Sequence, residues 1–277
     1  MADTLRCAME SKNEEDKIIV TLSPEEFWWL AKIFSPGVIY GVEDPTEGLS
    51  EEEIIKAEAA AIDKLSEANV IHAGKDGTLL MDDLLGAIIY SCVHSNNVMV
   101  LTFAQSERRF YHFLPDWQLE LVNIKGEYNL TCFKNREVLV DYILTELLSL
   151  KDITLVSEDS FSLPSKDLEL AAFLFQSGKS EKAVEEFSRS CIGQLPDLRI
   201  FLEGYVNPSK NVDIQMIYNK DGKKLMHQCH YSIMETENML YWITHSESIG
   251  NEPVPITFVN TIKTEDVKAK LLMMVGN

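Results

Sequence analysis

The 277-residue chain lacks the features on which several protein classes depend. No run of basic side chains is longer than two residues, and 44 acids against 25 bases leave a formal net charge of −19. Nucleic acid is bound through cationic faces that displace counterions from phosphates, and anionic membranes recruit the same kind of surface. Both partner classes are therefore excluded as expectations. The five cysteines, Cys7, Cys92, Cys132, Cys191 and Cys229, are odd in number, widely spaced and without a CxxC pair. They read as free thiols in a reducing compartment, not as a disulfide framework. Residues 1–17 are polar and acidic with no apolar core of a signal peptide, and the longest apolar stretches, such as Leu84–Tyr90, are far short of a membrane span. A cytoplasmic location follows as the expectation.

What is present is the composition of an ordinary folded protein, 45% hydrophobic and 25% charged. The acidity is uneven. Residues 1–150 carry 26 acids against 12 bases, whereas residues 151–277 carry 18 against 13. Much of the excess lies in Glu14-Glu15-Asp16, Glu25-Glu26, Glu43-Asp44 and Glu51-Glu52-Glu53, positions suited to solvated helix starts and loop edges.

Ser23-Pro24-Glu25-Glu26 and Ser50-Glu51-Glu52-Glu53 are capping boxes, each opening an amphipathic helix. A short extended piece, the turn Gly74-Lys75-Asp76-Gly77 and a helix from Asp82 to Ser91 complete a winged-helix-like outline over residues 50–92. Asp82 to Cys92 contains no Lys or Arg, so this outline predicts a protein-contact or structural unit and not a DNA reader. From Val98 the apolar period changes to two. Val98–Phe103, Arg109–Phe113, Gln118–Val122 and Tyr128–Phe133 read as an antiparallel meander, followed by a helix capped at Asn135.

Residues 151–164 read as a linker, after which the order of elements returns: two helices, strands at Val212–Tyr218, Lys224–Ile233, Met239–Thr244 and Pro255–Asn260, and a closing helix from Thr264. The expected organisation is a mobile start over 1–17, an α+β half over 18–150, the linker, and a second α+β half over 165–277. Two similar halves of this kind, each with helices, an antiparallel meander and a closing helix, commonly pair about a quasi-twofold axis.

No sequence pattern of a catalytic site is present: GxSxG, HExxH and GxGxxG are all absent. His227-Gln228-Cys229-His230 is the densest group of metal-ligand types, but on a strand His227 and Cys229 share a face while His230 points away, and two ligands do not complete a zinc site. Ser177-Gly178-Lys179-Ser180 resembles the end of a phosphate-binding loop. Phe173 stands where that loop needs its first glycine, so Gly178 reads as a helix terminator. No catalytic residue, cofactor site or metal site is expected. The alternatives are an enzyme with a cleft between the halves, drawing on His227, His230 or His245, and a regulatory module built on residues 50–92.

One resemblance gathers these features. The helix with Phe27-Trp28-Trp29-Leu30, the Gly/Pro loop after it, the helix ending Leu65-Ser66-Glu67-Ala68-Asn69-Val70-Ile71, the turn Gly74–Leu79, the helix Leu84–Cys92, and later Met239-Leu240-Tyr241-Trp242-Ile243-Thr244 follow the order of the EspG family of type VII (ESX) secretion-associated proteins. The chain resembles that family over residues 20–275. The resemblance implies a quasi-twofold α+β fold and a cytoplasmic chaperone that holds a helical secreted substrate, such as a WXG-type or related heterodimer, and uses no cofactor. Family contacts with substrate come from the central sheet and the C-terminal half. The partner-binding candidates are accordingly Tyr231, Trp242 and Ile249, the last in the polar loop Ser246–Pro253.

Overall fold

The computed structural model describes residues 17–34, 39–74, 78–104, 107–115, 117–151, 160–194, 197–218, 228–237, 239–246 and 254–276. In chain order the elements are β1 (Lys17–Leu22), α1 (Pro24–Lys32), α2 (Glu51–Glu67), β2 (Ile71–Ala73), β3 (Leu79–Met81), α3 (Asp83–His94), β4 (Asn97–Phe103), β5 (Arg108–Phe113), β6 (Gln118–Ile124), β7 (Glu127–Phe133) and α4 (Arg136–Tyr142). A π-helical turn, Ile143–Leu148, follows. The remainder is β8 (Ser160–Pro164), α5 (Ser165–Gln176), α6 (Ser180–Ser190), β9 (Ile192–Gln194), α7 (Leu198–Val206), β10 (Lys210–Tyr218), β11 (Gln228–Glu235), β12 (Leu240–His245), β13 (Ile256–Thr261) and α8 (Thr264–Gly276). The fold is α+β with antiparallel strands, as the alternating patterns predict.

The chain divides into two compact units. The first takes the residues up to Val98 together with Arg108–Leu139; the second takes Met99–Glu107, Val140–Ile217 and the strands and helix that follow β10. In the first, β5, β6 and β7 form a meander and β1 pairs antiparallel with β7, placing Val20 opposite Leu130. In the second, the strands run in the order β4, β10, β11, β12, β13, β8, β9. The repeat of element order between the halves is partial. The second contains α7 between its helical pair and its meander, and β8 lies in the latter part of the stretch that reads as a linker.

Both predicted capping boxes form. Ser23 Oγ accepts from the Glu26 amide at 3.2 Å while the Glu26 carboxylate accepts from the Ser23 amide at 2.8 Å, and Ser50 and Glu53 repeat the arrangement. Each box satisfies helix-end amides that would otherwise be orphaned, and acids in the first turn suit the helix dipole. Asp82 caps α3 by accepting from the Leu84 and Leu85 amides, both at 3.0 Å.

The helices α1, α2 and α3 bury Phe27, Leu30, Leu65, Ile88 and Ile89 against Leu119, Leu121, Leu130 and Tyr128 of the first unit's strands. Each such side chain contributes about 1.5–3 kcal/mol of transfer free energy. Of the consecutive Phe27, Trp28 and Trp29, Phe27 and Trp29 are buried and Trp28 is half-buried, so the helix is packed on a wide face. The second unit's core is aromatic. Phe201 lies between Phe161, Phe187, Tyr205 and Tyr241 at ring separations of 5.0–5.8 Å.

Glycine decides the chain's path where the loop after α1 meets β5. Gly41 has φ +86° and lies against the Phe110 ring so closely that a Cβ would collide with it. Only glycine combines that backbone conformation with that approach.

Candidate functional site

Strand register in the second unit creates two different surfaces at one end of its sheet. On β11 and β12, His230 stands opposite His245 and Tyr231 opposite Thr244. Successive residues face opposite sides, so the histidines and the tyrosine emerge on different faces.

On the histidine side, a cleft of about 330 Å³ is lined by Tyr205, Asn211, Asp213, His230, Ser232 and His245, among others. The imidazole rings of His230 and His245 lie 4.8 Å apart. Ser232, which is buried, donates its hydroxyl proton to Asp213 Oδ1 at 2.6 Å. His245 Nε2 is 3.3 Å from the same hydroxyl oxygen, and its Nδ1 is 3.5 Å from Thr257 Oγ1. His230 Nε2 is 4.0 Å from Asp213 Oδ1, an ion pair when the ring is protonated.

The direction of these bonds has chemical consequences. A serine has one proton, and here it goes to the carboxylate, so His245 Nε2 engages Ser232 as a donor. In acyl transfer the proton must run from serine to histidine. In the arrangement seen here the Ser232 proton is directed to Asp213 and not to His245. Burial lowers the pKa of His245, with the charge of His230 acting in the same sense and Asp213 opposing it. The Tyr205 hydroxyl is pushed up, chiefly by burial and then by Glu169 and Asp213.

On the opposite side, Tyr231, Thr244 and Phe258 form a row across β11, β12 and β13. Phe258 is 44% exposed. Tyr231 is half-buried, with its ring 5.5 Å from that of Trp242. Trp242 is only 2% exposed and lies beneath Lys270 of α8, whose Nζ is 5.2 Å from the indole centre. Of the three partner-binding candidates, Tyr231 thus stands at the edge of the row and Trp242 beneath the surface, while Ile249 lies outside the described residues. His227 is also outside them. Further apolar side chains reach solvent from the same unit at Leu170 and Phe173 of α5, Phe173 being 64% exposed.

Sequence reading left out Asp213 and Ser232. The signal for them is register: a β11–β12 turn closed between Thr236 and Met239 puts residue 230 opposite 245, and β10 then brings Asp213 opposite Ser232. Among the described residues, no group of three or more His, Cys, Asp or Glu side chains is placed to hold a metal ion.

Among solved structures, the chain is similar to the type VII secretion system chaperone EspG5 of Mycobacterium tuberculosis, determined in complex with the PE25–PPE41 dimer. The likeness covers 93% of this chain and 95% of that chain, with a TM-score of 0.59 and 9% sequence identity. The fold is EspG-like. At that identity the likeness is one of fold alone. No family model matches the sequence, and no curated protein matches it. The expected resemblance therefore holds at the level of the EspG-like architecture of helices and antiparallel sheet. Among the described residues, no helix is long and apolar enough to cross a membrane.

Proposed function

We propose that the chain is a non-catalytic chaperone or adaptor that binds a helical secreted protein of a type VII-like system in the cytoplasm. The observation that carries this reading is the extent of the EspG-like fold, which runs through nearly the whole of both chains although few residues are shared. A helical heterodimer is the proposed partner, by analogy with the PE25–PPE41 dimer bound to EspG5; a WXG-type protein is a second form of the same class.

The proposed contact surface lies within residues 151–277, which carry 18 acids against 13 bases and expose apolar side chains such as Phe258. The Tyr231–Thr244–Phe258 row offers a flat aromatic edge, with Trp242 as its packed floor. Ile249 belongs to the proposal through its position in the adjoining β12–β13 connection. An apolar patch with a polar margin suits one face of an amphipathic helix.

The test is co-expression with small helical secreted proteins of the same organism, singly and in pairs, followed by size-exclusion chromatography. A stoichiometric complex that Phe258→Asp disrupts, with the circular dichroism of the variant unchanged, is the expected result. Absence of any complex, or a complex indifferent to Phe258→Asp, overturns it.

A further inference from the structure

The first unit contains an apolar groove that the proposed partner surface does not use. It is bounded by α1, α2, the β2–β3 hairpin and α3. One lobe, of about 400 Å³, is lined by Phe34, Leu80, Met81, Gly86, Ala87 and Tyr90; the other, of about 200 Å³, by Trp29 and Ile62, and Ile33 and Ile71 line both. The combined space is in the range of sites that accept several side chains. Its margin is unusually apolar for solvent-facing surface: Ile33, Leu80 and Tyr90 are 49%, 45% and 50% exposed. Ile55, 60% exposed, continues the lining along α2, being one heptad before Ile62 and so on the same helical face.

The floor is kept low at an energetic cost. Gly86 lies within α3, where glycine costs about 0.5–1 kcal/mol relative to alanine. Packing does not require it: a Cβ there would meet only Met81 Sδ, at an ordinary 3.6 Å. With the exposed Ala87 beside it, the small side chains leave the larger lobe open.

The rim gives the charge of the occupant. Asp82 and Asp83 at the start of α3 and Glu58 on α2 border the two lobes. Among the described residues lining them, Lys32 is the one base, and its Nζ lies 3.8 Å over the Trp29 ring, drawn onto the aromatic face. An apolar trough between carboxylates complements a helix with an apolar stripe and basic flanks.

We propose that this groove is a second docking site, which takes a basic amphipathic helix of a partner protein. It rests on different residues from the second-unit surface and stands or falls separately from the function proposed above.

The test uses the full chain and a synthetic Leu/Lys amphipathic helical peptide, with a scrambled peptide of equal composition and a Leu/Glu helix as comparators. Binding is followed by calorimetry and by amide shifts of Gly86 and Ala87. The Leu/Lys helix is expected to bind, to move those amides, and to lose at least tenfold in affinity on Ala87→Arg, an exposed change that fills the floor and adds a like charge. The Leu/Glu and scrambled peptides are expected not to bind. If the scrambled peptide binds equally, the attraction is only to the chain's net negative charge and the proposal fails. It fails also if Ala87→Arg leaves the Leu/Lys affinity unchanged, or if that helix does not bind. Asp83→Asn, which leaves the apolar floor intact, is expected to weaken binding less and to reduce its salt dependence.

Discussion

His230 and His245 face one another across β11 and β12, with ring centres 4.8 Å apart and Asp213 as the nearby carboxylate. Two cations at that distance repel, so a charge on His230 disfavours protonation of His245. Burial adds to the effect at His245. His245 is therefore expected to titrate below the ordinary histidine range in NMR spectra. Replacing His230 by Asn removes the like charge and moves the His245 midpoint upward, while Asp213→Asn removes the opposing anion and moves it downward. A His245 midpoint unchanged in both variants contradicts the arrangement.

His112 makes acid stability a second measurable property. Its ring is fully buried beside Leu119 and Cys132 in strand register, and neither ring nitrogen makes a well-formed hydrogen bond among the described residues, the Tyr40 backbone interacting only weakly. Burial lowers its pKa from 6.5 to about 4, only partly opposed by the backbone of Tyr40. Between those values the unfolded chain binds the proton and the folded chain does not. Stability is thus retained above the unfolded pKa and falls as pH drops toward 4. The loss attributable to this group is on the order of 3 kcal/mol. Urea unfolding of the protein and of His112→Leu between pH 7.5 and 4 should show the variant gaining about 3 kcal/mol in stability relative to the protein as the pH falls.

Gly41 and Gly86 should respond oppositely to alanine. At Gly41 the positive φ and the Phe110 ring both oppose a Cβ, and Gly41→Ala is expected to destabilise by about 2–4 kcal/mol. At Gly86 the helical backbone accepts alanine with no close neighbour, and Gly86→Ala is expected to stabilise by about 0.5–1 kcal/mol. Thermal denaturation of the two variants distinguishes these signs directly.

Glu120 tests a buried charge on β6. It is 1% exposed, accepts from Tyr111 Oη at 2.7 Å and pairs with Arg109 Nη1 at 3.1 Å. Removing one partner of a buried pair leaves the other without compensation, so Glu120→Leu should cost about 3 kcal/mol. Glu120→Gln, which keeps an acceptor for Tyr111, should cost less. Equal denaturation midpoints for the two variants would contradict this account.

The sequence was most legible where interactions are local. Ser23 and Glu26, or Ser50 and Glu53, are three residues apart, and a capping box needs no distant partner. Alternation of polar and apolar types in Gln118–Val122 and Tyr128–Phe133 likewise places strands, although the polar Gln118 and Glu120 are themselves buried. The histidine cleft was less legible. His227, His230 and His245 stand out by residue type, but Asp213 and Ser232 acquire a role only when β10, β11 and β12 align. Trp242 illustrates the same boundary: its hydrophobicity is evident from sequence, but its place beneath Lys270 depends on how α8 packs.

Sequence alone determined the acidity, the capped helices, the change from helical to strand periodicity at Val98 and the order of elements that resembles the EspG family. These rest on composition and on neighbours a few residues apart. Tertiary structure decided which strands cluster into which unit, that a strand and not a continuous linker precedes α5, and which side chains meet at the sheet end. Those outcomes depend on contacts between residues far apart in the chain, such as Asp213 with Ser232 or Phe110 with Gly41, whose formation no local preference specifies.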